Sequence, residues 1–178
     1  MAVGKDAGMN HKMIGVIFIL CGCGGWGFGL AAHYLRKIRL CRQVLTALDY
    51  MRCDLQYRCT SLPMLCRQAG EREPGKIGNV LVKMASELEA QICPDVSCCM
   101  SATLAGFPEL PEEIVLLLTK LGENLGNFNL EGQLQGLEQV RALCTENLGL
   151  MLANKDARVR SYQTLGLCAG AAVAILLV

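Results

Sequence analysis

Between Lys12 and His33 the chain runs through Met13–Ala32 with no ionisable side chain other than Cys21 and Cys23. That is about the 20 residues an α-helix needs to cross a bilayer. Nothing else in the sequence restricts the fold as strongly, because lipid admits only backbone whose polar groups are satisfied internally. The segment predicts a membrane helix over 13–35, behind an N-terminal tail over 1–12. Two rival readings fail on neighbouring residues. Gly22-x-Gly24-x-x-Gly27 has the spacing of a dinucleotide-binding loop, with Asp49 downstream as its acid. Such a loop must face water and open a helix inside a βαβ unit, which an uncharged run of this length does not allow. Lys5 and Lys12 before the apolar core, with Gly29-Leu30-Ala31 behind it, resemble a cleavable signal. Arg36, Lys37, Arg39 and Arg42 follow at once, however, and a basic cluster of this kind holds the C-terminal side of a retained anchor in the cytoplasm.

The far end repeats the arrangement. Ser161–Val178 is uncharged and is preceded by Lys155, Arg158 and Arg160, which predicts a second membrane helix over 162–178. With basic residues on the inner side of both segments, the expected topology is a two-pass hairpin in the cell membrane. Both termini lie across the membrane, and a cytoplasmic head occupies 36–161. Small residues recur at four-residue spacing, as Cys21, Gly25, Gly29 and as Gly166, Gly170, Ala174. This is the pattern that lets membrane helices approach closely, so Gly25, Gly29, Gly166 and Gly170 are expected at the packing edges, within one chain or between chains.

The head is acidic, with 14 acidic and 8 basic side chains in Gln43–Asn154. Nucleic acid would require a basic face, so it is excluded as a partner. Eleven cysteines suggest disulfides or a metal. The count is odd, a cytoplasmic head is kept reduced, and no CxxC pair occurs. Cys93, Cys98 and Cys99 form the sole cluster, and His11 and His33 lie at the membrane rather than beside it. Most cysteines therefore read as small apolar fillers, with no metal and no cofactor expected.

Apolar residues in the head recur at three and four positions, the period of a helix. Ile38, Cys41, Leu45, Leu48, Met51 and Leu55 extend the first membrane helix to about Cys59. Ser61 is placed to cap a short helix with Pro63 in its first turn, and Gly70–Gly75 reads as a solvated loop. Ile77, Val80, Leu81, Met84, Leu88 and Ile92 trace the next helix, which Pro94 ends. Asp95 caps a brief helix. The turn "FPELP" then leads into the stripe Ile114, Leu117, Leu118, Leu121 and Leu125. A final head helix runs from Leu130 through Leu134, Leu137, Val140, Cys144, Leu148 and Met151, with no strong breaker before the second membrane segment. The expected fold is all-α, a cytoplasmic helical bundle between two transmembrane helices.

The chemistry inventory is short. The head has no histidine, hence no Ser-His or Cys-His couple, and no glycine-rich loop there leads into Lys-Ser or Lys-Thr. Glu87 with Glu89, and Glu112 with Glu113, are close in sequence but diverge around a helix, so neither makes an acid–base pair. No catalytic residue is assigned. A membrane-tethered enzyme is disfavoured on this ground. Gly132 and Gly136, one turn apart, read as a close helix contact.

The order of these features resembles the stage III sporulation protein AB family of endospore-forming Firmicutes. A membrane helix leads into "LRKIRLCRQVLTALDYMRCDLQY", then "SLPMLC", a middle helix, "LPEEIVLLLTKLGENLG", "EGQLQGLEQVRAL" and a closing "RSYQTLGLCAGAAVAILLV". The resemblance spans about Ile14 to Val178, and rests on the order of Leu62-Pro63, Leu121-Gly122, Leu125-Gly126, Gln133 and the Gly166/Gly170 helix. It implies a non-enzymatic scaffold in the mother-cell (outer forespore) membrane, part of a secretion-like mother-cell-to-forespore channel with other stage III sporulation membrane proteins. The head is similar to cytoplasmic domains of type II secretion and type IV pilus platform proteins, which implies docking of a secretion-type cytoplasmic ATPase. Glu109, Glu112 and Glu113, at the start of the Ile114–Leu125 helix, are the expected docking acids, and membrane lipid is the other partner. Without the resemblance, the same residues would describe a generic membrane-anchored helical adaptor.

Overall fold

The computed structural model describes residues 5–58, 60–91, 93–126 and 129–177; for 5–24, 26–27, 173–174 and 176–177 it describes the helical backbone alone. Every regular element among them is a helix: α1 Lys5–Arg58, α2 Leu62–Arg72, α3 Lys76–Ala90, α4 Val96–Ala105, α5 Glu112–Asn124, α6 Leu130–Ala153 and α7 Lys155–Leu177. The chain is all-α, as its spacing predicts. It divides into two compact units, 37–151 on the one hand and 1–36 with 152–178 on the other.

The 37–151 unit closes over the expected stripes. Ile38, Cys41, Leu48, Met51 and Leu55 of α1, Ile77, Val80, Leu81 and Met84 of α3, and Ile114, Leu117, Leu118 and Leu121 of α5 are all buried. From α6 come Leu137, Val140, Cys144 and Leu148. Apolar side chains at helical spacing leave water together, which is the main favourable term of the fold. At the α1–α6 seam two fully buried thiols face each other, Cys41 Sγ and Cys144 Sγ being 3.4 Å apart. The Cys144 thiol also reaches the carbonyl of Cys41 at 3.3 Å, so a polar atom is satisfied at the tightest point of the seam. Arg141 of α6 donates to Asp49 of α1 at 2.5 Å, and Arg52 meets Glu138 at 3.4 Å. The Asp49 carboxylate beside it holds the Arg141 guanidinium above its ordinary pKa.

Several element ends differ from the sequence reading. α1 begins at Lys5, inside the segment read as a tail. Ser61 occupies the N-cap of α2 and accepts the Leu65 N–H with its backbone carbonyl at 2.9 Å, but its side chain makes no capping bond. Pro63 is in the first turn of α2, as expected. Gly70–Arg72, expected in a loop, continue α2. The reason is a crossing with α3: a Cβ on Gly70 would stand 2.7 Å from the Gly78 carbonyl oxygen, and one on Gly78 would stand 2.5 Å from that of Gly70. Only paired glycines let two backbones meet this closely. The turn is thereby reduced to the residues around Gly75, whose φ of 125° favours glycine. Asp95 caps α4 as expected, accepting the Cys98 N–H at 2.7 Å, a bond that lowers its carboxyl pKa. Between α6 and α7 the helix breaks at Asn154, where the sequence shows no strong breaker. Asn is a weak helix former because its amide competes with the backbone for hydrogen bonds, and here that suffices.

Gly136 packs as read: a Cβ there would stand 2.7 Å from the Asn124 Cβ. Gly132 instead donates its N–H to the Asn129 side chain at 3.0 Å. Two alanine substitutions separate close packing from helix propensity. Gly70→Ala would drive a methyl against the α3 backbone at the Gly78 carbonyl and the Val82 nitrogen, which cannot turn aside, and is expected to cost about 3 kcal/mol. Gly149→Ala, where nothing lies within 4 Å, is expected to leave stability unchanged or raise it by up to about 1 kcal/mol. Denaturant melts of the two purified variants check this; equal effects would contradict the crossing.

Candidate partner-binding surfaces

The acids expected to dock a partner are brought to one place, at and before the first turn of α5. Two of them are already engaged. Glu113 accepts from Lys37 Nζ of α1 at 2.8 Å, and Glu109 accepts from Lys76 Nζ of α3 at 2.6 Å. These pairs tie the start of α5 to two other helices, and as exposed ion pairs each is worth about 0–1 kcal/mol. Two of the three expected docking acids thus already hold a lysine. Glu112 enters no ion pair among the described residues and is exposed. Sequence spacing could not show this, since Lys37 lies 76 residues from Glu113.

Beside Glu112 the outer face of α5 carries an open depression of about 500 Å³, lined by Glu112, Glu113, Val115, Leu116 and Thr119. Leu116 is 58% exposed, while the neighbouring Leu117 and Leu118 are buried. The helix is therefore apolar on its inner face and carries one large apolar side chain outward next to a carboxylate.

A second depression of about 220 Å³ lies between α1 and α2, lined by Tyr50, Cys53, Asp54, Tyr57, Arg58 and Arg72. Sequence reasoning missed it. The available signal was Asp54 itself, a carboxylate three residues after Met51 and next to Leu55 on the buried stripe of α1.

The small-residue edges differ between the two termini. A Cβ on Gly25 or Gly29 would meet nothing within 4 Å among the described residues. On α7 Gly170 is buried and Gly166 half-buried. In the same unit the Arg158 guanidinium lies 5.7 Å from the Tyr34 ring centre. The backbone is helical over 13–35 and 162–177, in the two segments read as membrane spans; Val178 lies outside the described residues. Many of their side chains lie outside the described residues, and among the described residues no helix is long and apolar enough to cross a membrane.

Cysteines divide by burial. Cys41, Cys66, Cys99 and Cys144 are buried, as fillers should be, while Cys53, Cys98 and Cys168 are exposed. Hydrogen bonding to Cys99 raises the Cys93 pKa, and bonding to Cys93 raises that of Cys98. Among the described residues no three His, Cys, Asp or Glu side chains converge to hold a metal ion.

The described residues are all helical, with an acidic head between two uncharged segments. The chain belongs to the stage III sporulation protein AB family, whose model matches residues 12–178, and its role is accordingly in sporulation. No curated protein and no solved structure matches the chain significantly.

Burial pushes the Cys66 thiol up to about 12 from its ordinary 9.0. A thiol that keeps its proton in the folded state contributes stability fully present below pH 9, and lost as pH rises toward 12. Above pH 9 the loss is expected at about 1.4 kcal/mol per pH unit for this one group, and Cys66→Ala should make the decline shallower by that amount. Denaturant melts between pH 8 and about 10.5 measure it.

Proposed function

We propose that the chain is a non-enzymatic, two-pass membrane component of a secretion-like channel between mother cell and forespore. The head over 36–161 then lies on the cytoplasmic side of the mother-cell (outer forespore) membrane. It docks a cytoplasmic secretion-type ATPase and assembles with other stage III sporulation membrane proteins. The observation that carries the membrane reading is the outward apolar face of the terminal unit: Phe28, Leu30, Leu165, Leu167 and Ile175 are all exposed. In water so many exposed large apolar side chains are costly, and lipid contact removes that cost. The open edge at Gly25 and Gly29 suits contact with a second membrane helix from another chain.

Docking of the ATPase is supported by the acidic excess of the head and by the pairing of Glu112 with exposed Leu116 on one helix face. A basic partner meets Glu112 directly, whereas at Glu109 and Glu113 its cations must exchange with Lys76 and Lys37. Such complementarity mainly speeds and orients encounter.

Two experiments test the reading. Exposed Cys53 and Cys98 should be modified by a membrane-impermeant maleimide only after the cells are permeabilised; modification in intact cells would overturn the topology. In titrations of the full chain in lipid nanodiscs against the ATPase, Glu112→Lys and Leu116→Ala are each expected to weaken binding by about tenfold. Association of the parent should also slow as salt shrinks the Debye length from about 10 to 3 Å. Folded variants that bind as tightly as the parent would remove α5 as the docking face.

A further inference from the structure

Asp54 places a carboxylate where the packing of α1 asks for an apolar residue. Its side chain is 3% exposed, and its Oδ2 has no hydrogen-bond partner among the described residues. Among the described residues it pairs with Arg58, whose guanidinium stands 3.8 Å from Oδ1, beyond hydrogen-bond reach, on a side chain 70% exposed; Arg72 lines the same depression. A buried acceptor left without a donor is costly, and a charged one more so. Other polar groups around the depression are committed elsewhere. The Tyr50 hydroxyl donates to Gln68 at 2.8 Å, and the Arg72 guanidinium sits over the Tyr50 ring at 4.4 Å from its centre. Two features remain movable at the mouth, the loosely held Arg58 and the Tyr57 ring, which is 79% exposed.

We propose that this depression is a receptor for one guanidinium, the side chain of an arginine on a protein partner, which displaces Arg58, pairs with Asp54 and lies against the Tyr57 ring. The chemistry selects this occupant. An anion would meet the Asp54 carboxylate, and a metal ion would find a single carboxylate where it needs several oxygens. An ammonium satisfies the charge, but a guanidinium brings a planar fork that matches a carboxylate, weaker hydration and a flat face that stacks on an aromatic ring. The volume of about 220 Å³ suits one side chain rather than a folded segment. The acidic excess of the head raises the local concentration of basic partners. This site, between α1 and α2, does not rest on the docking face proposed on α5.

The probe is N-acetyl-L-arginine amide, titrated against the full chain in lipid nanodiscs and followed by saturation-transfer NMR, with N-acetyl-L-citrulline amide as the neutral isostere. Saturable binding of the arginine probe and none of the citrulline probe is expected. Arg58→Ala, which removes the resident cation, should bind about fivefold tighter, and Asp54→Asn about tenfold weaker. Melting temperature supplies a readout independent of the probe. Asp54→Asn relieves a buried charge without a donor, so it should melt at or above the parent temperature. Equal binding by Asp54→Asn and parent, or equal binding of the two probes, would overturn the proposal. So would no saturation of Arg58→Ala up to about 50 mM probe. A clear fall in the melting temperature of Asp54→Asn would mean that the carboxylate is already satisfied in the free chain, and would overturn it as well.

Discussion

The 37–151 unit depends on the closure of α1 against α6, through a pair of buried thiols and the Arg141–Asp49 ion pair. Helices adjacent in sequence also meet, α2 with α3, α3 with α4 and α4 with α5, and Lys37 of α1 reaches Glu113 of α5 across 76 residues. Adjacent pairings cost little chain entropy, whereas the long-range contacts of α1 cost more. The closing contact joins residues 103 apart in the chain. Cysteine suits the position because it is small enough for helices to meet closely, and its thiol satisfies its own polarity against the opposite carbonyl.

Surface charge in this unit is organised around the same helices. The acids at the head of α5 reach Lys37 and Lys76, so the lysines nearest to them are consumed by the fold. What remains outward is an acid with an apolar neighbour at Glu112 and Leu116, and a buried acid with a loose cation at Asp54 and Arg58. Glu112 is open to an incoming cation directly, whereas Asp54 is reached only when Arg58 moves aside.

Much of the helical framework is legible in the sequence, because stripes at three- and four-residue spacing can be buried in only one way. The stripe Ile114–Leu125 is buried at every position read, and Asp95 caps α4 as its identity demands. Failures fall where the deciding group lies far along the chain or where a weak local signal prevails. Gly70 reads as loop until Gly78 is set against it. Leu45 falls on the stripe of α1 but is only half-buried, and Leu130 of α6 is exposed, because a stripe is wider than the contact it makes. The break at Asn154 rests on a residue of only modest preference. That Glu109, Glu112 and Glu113 gather at the start of α5 was legible, whereas which of them pair with a lysine depends on residues 33 and 76 positions away. Asp54 was visible as an anomaly on the stripe, but its depression needs α2 beside it.

The distance along the chain between Cys41 and Cys144 also sets a clock for synthesis. A ribosome adding about 5–20 residues per second needs about 5–20 s to pass from one cysteine to the other. Through that interval Cys41 has no opposite thiol or carbonyl to meet, and Asp49 has no Arg141, although α2 to α5 can already form beside α1. The nascent head therefore closes its α1–α6 seam last, and until then that side of α1 is open to general chaperones and proteases.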